Sequence, residues 1–183
     1  EMGVIIEWNA HLFDSDTTKF PFHERATYHP TPSPEAGGWS CSEPTGVIAE
    51  DYAMSLAERG IDRAVVVHPE PYGDDHSVIL DVLRRRPDWL GTSLFYPRDD
   101  ACVEKLEALI AEQPRIISTR FHAHRGISGF QERVDRDGGF PKGNEYFESF
   151  EEPGVRALWS KAVELGLIIE LHIGPNYGKQ VAA

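Results

Sequence analysis

The sequence has 183 residues, a formal net charge of −12 at pH 7 and 40% hydrophobic residues. This length and apolar fraction predict one folded domain, residues 1–183, rather than a disordered chain, and the acidic balance argues against a nucleic-acid partner. No apolar run approaches the roughly 20 residues that span a bilayer, and the two cysteines have no metal-type spacing, so we expect a cytoplasmic protein without a membrane partner.

The first predicted element is a strand that opens with apolar residues 4–6, which we expect to be buried. Because side chains alternate between the two faces of a strand, Glu7, Asn9 and His11 should share one face. Residues 14–46 follow without periodicity, rich in proline and aromatic residues. We interpret them as a packed loop that covers a site, with a flexible insertion as the alternative.

Strands and helices alternate through the rest of the chain. Apolar residues at helical spacing predict helices at residues 47–59, 75–86, 101–112 and 153–165. Further strands are predicted at residues 61–68, 89–96, 115–124 and 167–173. Gly60 and Gly166 stand where helix caps belong. The alternation predicts a parallel α/β sheet, open or closed into a barrel, and no Gly-rich dinucleotide fingerprint follows the first strand.

Four histidines fall at the predicted carboxyl ends of strands: His11, His68, His122 and His172. In a parallel α/β fold, sites are built at that end from several strands. Imidazole is a common metal ligand and a base that titrates near neutrality. A hydrogen-bonded structural role is the alternative for each histidine, but four at one end favour a shared site. His76, at the start of a predicted helix, is interpreted as a solvated or capping residue.

Two of these strands carry further ionisable residues. Glu170 shares a face with His172, and Arg120, His122 and His124 share a face of the preceding strand. The planar guanidinium of Arg120 suits a substrate carboxylate. The alternative is a structural ion pair with Glu170 or with the glutamate of the first strand.

The segments IEWNAHLF, GIDRAVVVH, RIISTRFH and GLIIELHIGP resemble, in this order, motifs of the amidohydrolase-related family, which contains metal-dependent hydrolases and decarboxylases on a TIM-barrel fold. The resemblance covers most of the chain and implies an α/β fold of the TIM (β/α)8-barrel type with about five βα units present. The family barrel has eight strands, and its sixth-strand histidine and eighth-strand aspartate have no counterpart here. We therefore expect an incomplete barrel, a fragment or a truncated gene product, whose open edges favour a homo-oligomer.

The resemblance also implies roles for the candidate site residues. Asn9 replaces the first histidine of the family's opening pair, and such a weak oxygen ligand lowers the affinity for a divalent metal such as zinc or manganese. Some related proteins hydrolyse lactones without a metal. The implied set is His11 and His172 as metal ligands, Arg120 and His122 as catalytic residues, and Arg120, His122 and His68 as substrate-binding residues.

The expected function is hydrolysis of a small carboxylated substrate such as a lactone, assisted by a metal where one binds. Decarboxylation is the first alternative, because related barrels carry it out at a similar site. A non-catalytic barrel that acts as a binding or assembly module is the second alternative. The asparagine at position 9 and the missing strands both favour this last interpretation.

Overall fold

The computed structural model describes residues 3–14, 16–24, 48–123 and 147–173. Among them, five β-strands alternate with four α-helices and one short 3-10 helix, Glu70–Tyr72. The strands are β1 (Ile6–Ala10), β2 (Arg63–Val67), β3 (Leu90–Leu94), β4 (Ile116–Ala123) and β5 (Ile168–Ile173). The helices are α1 (Ile48–Glu58), α2 (Ser77–Arg85), α3 (Cys102–Glu112) and α4 (Pro153–Glu164).

The strand order in the sheet follows the order in the chain. β1 pairs with β2, β2 with β3, and β4 with β5, each in parallel. The predicted parallel α/β sheet is therefore confirmed. The chain divides into two compact units, Glu1–Thr92 and Ser93–Ala183, with the boundary inside β3. No helix among the described residues is long and apolar enough to cross a membrane.

The first unit has its core around β2. The four residues Ala64 to Val67 are at most 1% exposed, as expected when a parallel strand is covered on both faces. One side of α2 is buried as well, through Val78, Ile79, Val82 and Leu83. In the second unit, the buried residues of α3 and α4 include Leu106, Leu109, Val155, Leu158 and Ala162.

Glycine ends α1 and α4, as predicted. Gly60 and Gly166 adopt φ angles of 69° and 71°, a left-handed conformation that side chains disfavour. After each helix, the N–H of the glycine and the N–H of the next residue both donate to carbonyls of the last turn. This is the Schellman arrangement, which satisfies the last helical carbonyls.

β1 departs from the predicted burial. Residues 4–6 were expected in the core, but Val4 is 61%, Ile5 55% and Ile6 49% exposed. The prediction is wrong because β1 pairs with β2 and stands at the end of the strand order. The inner strand β2 is the one that is covered on both faces.

The predicted alternation along β1 is also broken. Trp8 pairs with Val65, and Ala10 pairs with the next residue of β2, Val66, so Asn9 is the extra residue of a bulge. Its φ angle is 121°, and no other non-glycine residue in the described ranges has a positive φ. A bulge reorients the side chains on either side of it. The expected common face of Glu7, Asn9 and His11 is therefore interrupted at Asn9.

We expect Asn9→Ala to lower the free energy of unfolding by about 1 kcal/mol, because alanine lacks the polar side chain that lets asparagine tolerate a positive φ. Asn9→Gly should leave the free energy unchanged or raise it, because glycine adopts this conformation without strain. Urea unfolding of the two variants measures the difference. A larger loss for the glycine variant would show that the side chain of Asn9, and not its backbone, determines the stability at this position.

Candidate functional site

All four histidines stand at the carboxyl ends of strands, as predicted. His11 directly follows β1 and His68 directly follows β2, while His122 and His172 are the penultimate residues of β4 and β5. The first pair belongs to the first unit and the second pair to the second unit. His124, which was grouped with His122, lies outside the described residues. The roles of these residues stay predictions.

β4 and β5 bring their polar residues into direct opposition. Arg120 pairs with Glu170, and His122 pairs with His172, two positions further along both strands. The two imidazole rings lie 4.7 Å apart between centroids, with an angle of 31° between their planes. Because side chains two positions apart share a face of a strand, the two pairs form one patch of four polar side chains. We call this patch the β4–β5 polar face.

Arg120 forms the ion pair that the sequence left open as an alternative. Its Nε and Nη2 donate to Oε2 of Glu170 at 3.1 and 2.9 Å. The hydroxyl of Ser118 donates to Oε1 of the same carboxylate at 2.9 Å. The Arg120 and Glu170 side chains are only 12% and 14% exposed. Sequence reasoning missed Ser118, although its position two residues before Arg120 places it on the same face.

The charge state of His172 follows from these neighbours. Burial lowers the pKa of His172 below its ordinary value of 6.5, and the positive charge of Arg120 lowers it further. Both effects disfavour a second proton on the ring. At neutral pH, His172 is therefore a neutral imidazole with one nitrogen lone pair, the form that accepts a proton or binds a metal.

In the first unit, the end of β1 brings two potential metal donors together. Nε2 of His11 donates a hydrogen bond to Oδ1 of Asn9 at 3.3 Å. An imidazole nitrogen that carries this hydrogen has no lone pair for a metal, so Nε2 of His11 could bind an ion only after a change of tautomer. Within the described part of the chain, no group of three or more His, Cys, Asp and Glu residues could hold a metal. The end of β1 thus carries a hydrogen-bonded histidine and asparagine, and their role as metal ligands stays a prediction.

His68 lies in a buried cluster with His76. His68 is 1% exposed and His76 is 5% exposed, and their ring centroids are 4.1 Å apart. His68 donates from Nε2 to the carbonyl of Gly73 at 2.8 Å, and His76 donates from Nδ1 to the carbonyl of Asp74 at 2.9 Å. Nδ1 of His68 is buried and has no hydrogen-bond partner in the part of the chain that the structure describes.

The interpretation of His76 as a solvated or capping residue is therefore wrong. It precedes α2, but its side chain makes no capping hydrogen bond, because the turn formed by residues 69–75 folds its ring onto His68. Proline and glycine at positions 71 and 73 are the sequence signal for this turn. That signal predicts a reversal of the chain, but it does not predict which side chains the reversal brings together.

Both histidines of this cluster are neutral. Burial lowers the pKa of His68 to about 4, against smaller opposing effects from the Gly73 carbonyl, Asp75 and Asp74. Burial also lowers the pKa of His76 well below 6.5, and the neighbouring His68 lowers it further. A charge on either ring would be desolvated and close to the other ring.

Tyr72 connects this cluster to the start of the long loop. Its hydroxyl accepts a hydrogen bond from the backbone N–H of Asp14 at 3.0 Å, and its ring lies 6.1 Å from Phe13 and 5.2 Å from Phe22. Burial raises the pKa of Tyr72 to about 12. Residues 16–24 thus pack against the turn after β2. Most of the 14–46 segment lies outside the described residues, so its role as a cover stays a prediction.

Comparison with known proteins places this chain in a family. A family model described as "Amidohydrolase" matches residues 9–182. Two curated 4-sulfomuconolactone hydrolases, from Hydrogenophaga intermedia and Rhizobium radiobacter, are each 34% identical over 79 residues, which are 43% of this chain and 22% of theirs.

Solved structures show the same fold. A probable 2-pyrone-4,6-dicarboxylic acid hydrolase from Acinetobacter baumannii, with citric acid bound, has a TM-score of 0.64 at 18% identity over 96% of this chain and 51% of its own. A Pseudomonas putida structure given the same activity has a TM-score of 0.59 at 18% identity over 94% and 50%. The chain thus spans about half the length of these structures. The predicted fold class, a TIM-barrel type with about five βα units, is confirmed.

Proposed function

The chain belongs to the amidohydrolase family, and we propose that the protein hydrolyses the ring ester of a small carboxylated lactone. The observation that carries the proposal is the β4–β5 polar face, where Arg120 precedes the opposed rings of His122 and His172. A guanidinium suits a carboxylate, and imidazoles suit proton transfer. The names of the relatives agree, since the curated ones are lactone hydrolases.

The residues have distinct tasks in this reaction. Arg120 binds the substrate carboxylate and fixes the position of the lactone ring. A water oxygen forms a bond to the ring carbonyl carbon, the ring C–O bond breaks, and the released alkoxide takes up a proton to give a hydroxy acid. His122 moves this proton from the water to the leaving oxygen. Where no metal is bound, neutral His172 orients the water through its lone pair. His68 is proposed as a further substrate-binding residue.

We also propose that a divalent metal, zinc or manganese, assists this reaction. His11 and Asn9, whose side chains meet at the end of β1, would supply two donors, and His172 would be a further ligand. When bound, such an ion polarises the lactone carbonyl and lowers the pKa of a bound water. Because the amide oxygen of Asn9 is a weak ligand for transition metals, the affinity should be modest.

We also propose that the protein forms a homo-oligomer and that it is located in the cytoplasm. The exposed apolar side chains of β1, Ile6 and Trp8 at 49% and 42%, support association of the protein into a homo-oligomer, since large apolar patches mark interaction surfaces. Cys102 is buried and unbridged, which supports a reducing compartment such as the cytoplasm.

We expect the purified protein to hydrolyse 2-pyrone-4,6-dicarboxylate or 4-sulfomuconolactone. Arg120→Lys should lower kcat/KM for the carboxylated lactone about tenfold, because lysine keeps the charge but loses the planar pair of donors. The loss of lactone absorbance measures the rate, before and after treatment with a chelator and re-addition of zinc or manganese. Arg84→Lys, at a side chain that is 70% exposed on α2, is the matched control.

If neither lactone is turned over, with or without either metal, the protein is not a lactone hydrolase of this kind. Substrate binding without turnover would instead favour the binding or assembly module. An equal loss in Arg120→Lys and Arg84→Lys would remove Arg120 from the site.

A further inference from the structure

Glu170 uses both of its carboxylate oxygens inside the β4–β5 polar face. Oε1 accepts the hydroxyl of Ser118, and Oε2 accepts two N–H groups of Arg120. The Ser118 residue is fully buried, and the side chains of the ion pair are nearly buried. These bonds restrict the rotation of the Ser118 and Arg120 side chains.

The register explains why the three side chains meet. Glu170 lies directly opposite Arg120, whereas Ser118 lies opposite Ile168 and reaches Glu170 along the diagonal between the strands. Diagonal neighbours on one face of a sheet are within reach of a long side chain. Ser118 therefore fixes the Glu170 carboxylate, and the carboxylate in turn fixes the plane of the Arg120 guanidinium.

We propose that Glu170 and Ser118 are positioning residues that hold the guanidinium of Arg120 in the orientation needed to receive a substrate carboxylate. This inference rests on the proposed function, in which Arg120 binds that carboxylate. An arginine side chain is long and flexible, and binding affinity improves when its orientation is set before the substrate arrives. Stability alone is a weak reason for such a pair, because desolvation of two buried charges offsets much of their attraction.

The pairing also determines what Arg120 offers to a substrate. The negative charge of Glu170 offsets part of the positive charge of Arg120, so the direction of the guanidinium N–H groups contributes to anion binding together with the charge. Directional donors distinguish a planar carboxylate from other anions. Glu170 and Ser118 should therefore affect the selectivity for carboxylated lactones over their neutral esters.

Three variants separate positioning from charge. In Glu170→Gln, the amide oxygen can still accept from Arg120 while the amide nitrogen donates to the Ser118 hydroxyl, so the orientation is kept and the charge is lost. Glu170→Ala removes both contacts. Ser118→Ala leaves the charge of Glu170 in place and removes only the bond that fixes it.

Citrate, a small tricarboxylate, is the binding probe, and isothermal titration measures its dissociation constant. We expect Glu170→Ala to weaken citrate binding about tenfold and Ser118→Ala about threefold, whereas Glu170→Gln stays within about threefold of the wild type. The KM for a carboxylated lactone should follow the same order, while the KM for its methyl ester should change by less than about twofold.

The other outcomes would overturn the inference. Tighter citrate binding in both Glu170 variants would show that Glu170 is a competing charge. Equal losses for the carboxylated lactone and the ester, together with a lower Tm, would show a structural role only. If Glu170→Ala does not fold, unchanged citrate binding in Ser118→Ala would contradict the positioning role. A wild-type protein that binds no citrate would also contradict it. Expected citrate binding without lactone turnover would reject the proposed reaction but keep the positioning role.

Discussion

Acidification from pH 7 to about 4 should lower the free energy of unfolding by about 3 kcal/mol through His68 alone. Burial holds the pKa of His68 at about 4 in the folded protein, against 6.5 for a solvated histidine. Between these two values the unfolded chain carries the proton and the folded protein does not. The stability contributed by neutral His68 is therefore complete above pH 6.5 and is lost as the pH falls towards 4.

His76 adds to this acid sensitivity in the same direction. Burial lowers its pKa first, and the neighbouring ring of His68 lowers it further. Asp74 and Asp75 act in the opposite direction, because their charges raise the pKa of His68. With the rings 4.1 Å apart, a proton on both would place two like charges in one buried cluster, so opening of the turn relieves the repulsion.

Urea unfolding at several pH values between 7 and 4.5 measures the effect, and His68→Gln is the matched variant. Its amide N–H can still donate to the Gly73 carbonyl, but it does not titrate, so about half of the pH dependence should disappear. The carboxyl groups of Asp81, Asp99 and Glu152, whose pKa values are lowered, lose their contribution at lower pH. The same pH dependence in His68→Gln and wild type would contradict the assignment.

Local patterns in the sequence were sufficient to predict most of the fold. The helix predicted at residues 47–59 is α1, Ile48–Glu58, and the strand predicted at residues 167–173 is β5, Ile168–Ile173. Helical spacing and two-residue alternation arise from contacts within one element. These two patterns can therefore be recognised without knowledge of the rest of the chain. The common face of Arg120 and His122 follows from the same periodicity.

The errors lie where one element meets another. Alternation alone could not show the bulge at Asn9, because a bulge depends on the register with β2. Periodicity placed Arg120 and Glu170 on faces, but only the register between β4 and β5 decided which glutamate is its partner. His76 was misjudged for the same reason, since its burial results from a turn that folds it onto another strand end.

Gly154→Ala should destabilise the protein by about 3 kcal/mol or more, because the added methyl group has no space. Gly154 is the second residue of α4, and a Cβ built there lies 1.8 Å from the carbonyl oxygen of Pro97 and 2.9 Å from its carbonyl carbon. Alanine is ordinarily favoured over glycine within a helix by roughly 0.5–1 kcal/mol. The expected loss therefore has the opposite sign to helix propensity, and urea or thermal unfolding measures it.

Gly3→Ala is the matched control, because a Cβ at Gly3 has no atom within 4 Å, and it should be nearly neutral. The atoms that oppose the methyl group at Gly154 are backbone atoms, so no side-chain substitution at Pro97 restores the space. An ion pair lies beside the contact between Gly154 and Pro97. Arg98, the residue after Pro97, donates from Nε and Nη2 to the Glu152 carboxylate at 2.8 Å each. If α4 moves away from this turn, Glu152 loses the partner that lowers its pKa. A stable Gly154→Ala with an unshifted Glu152 would show that the two backbones separate without breaking the ion pair.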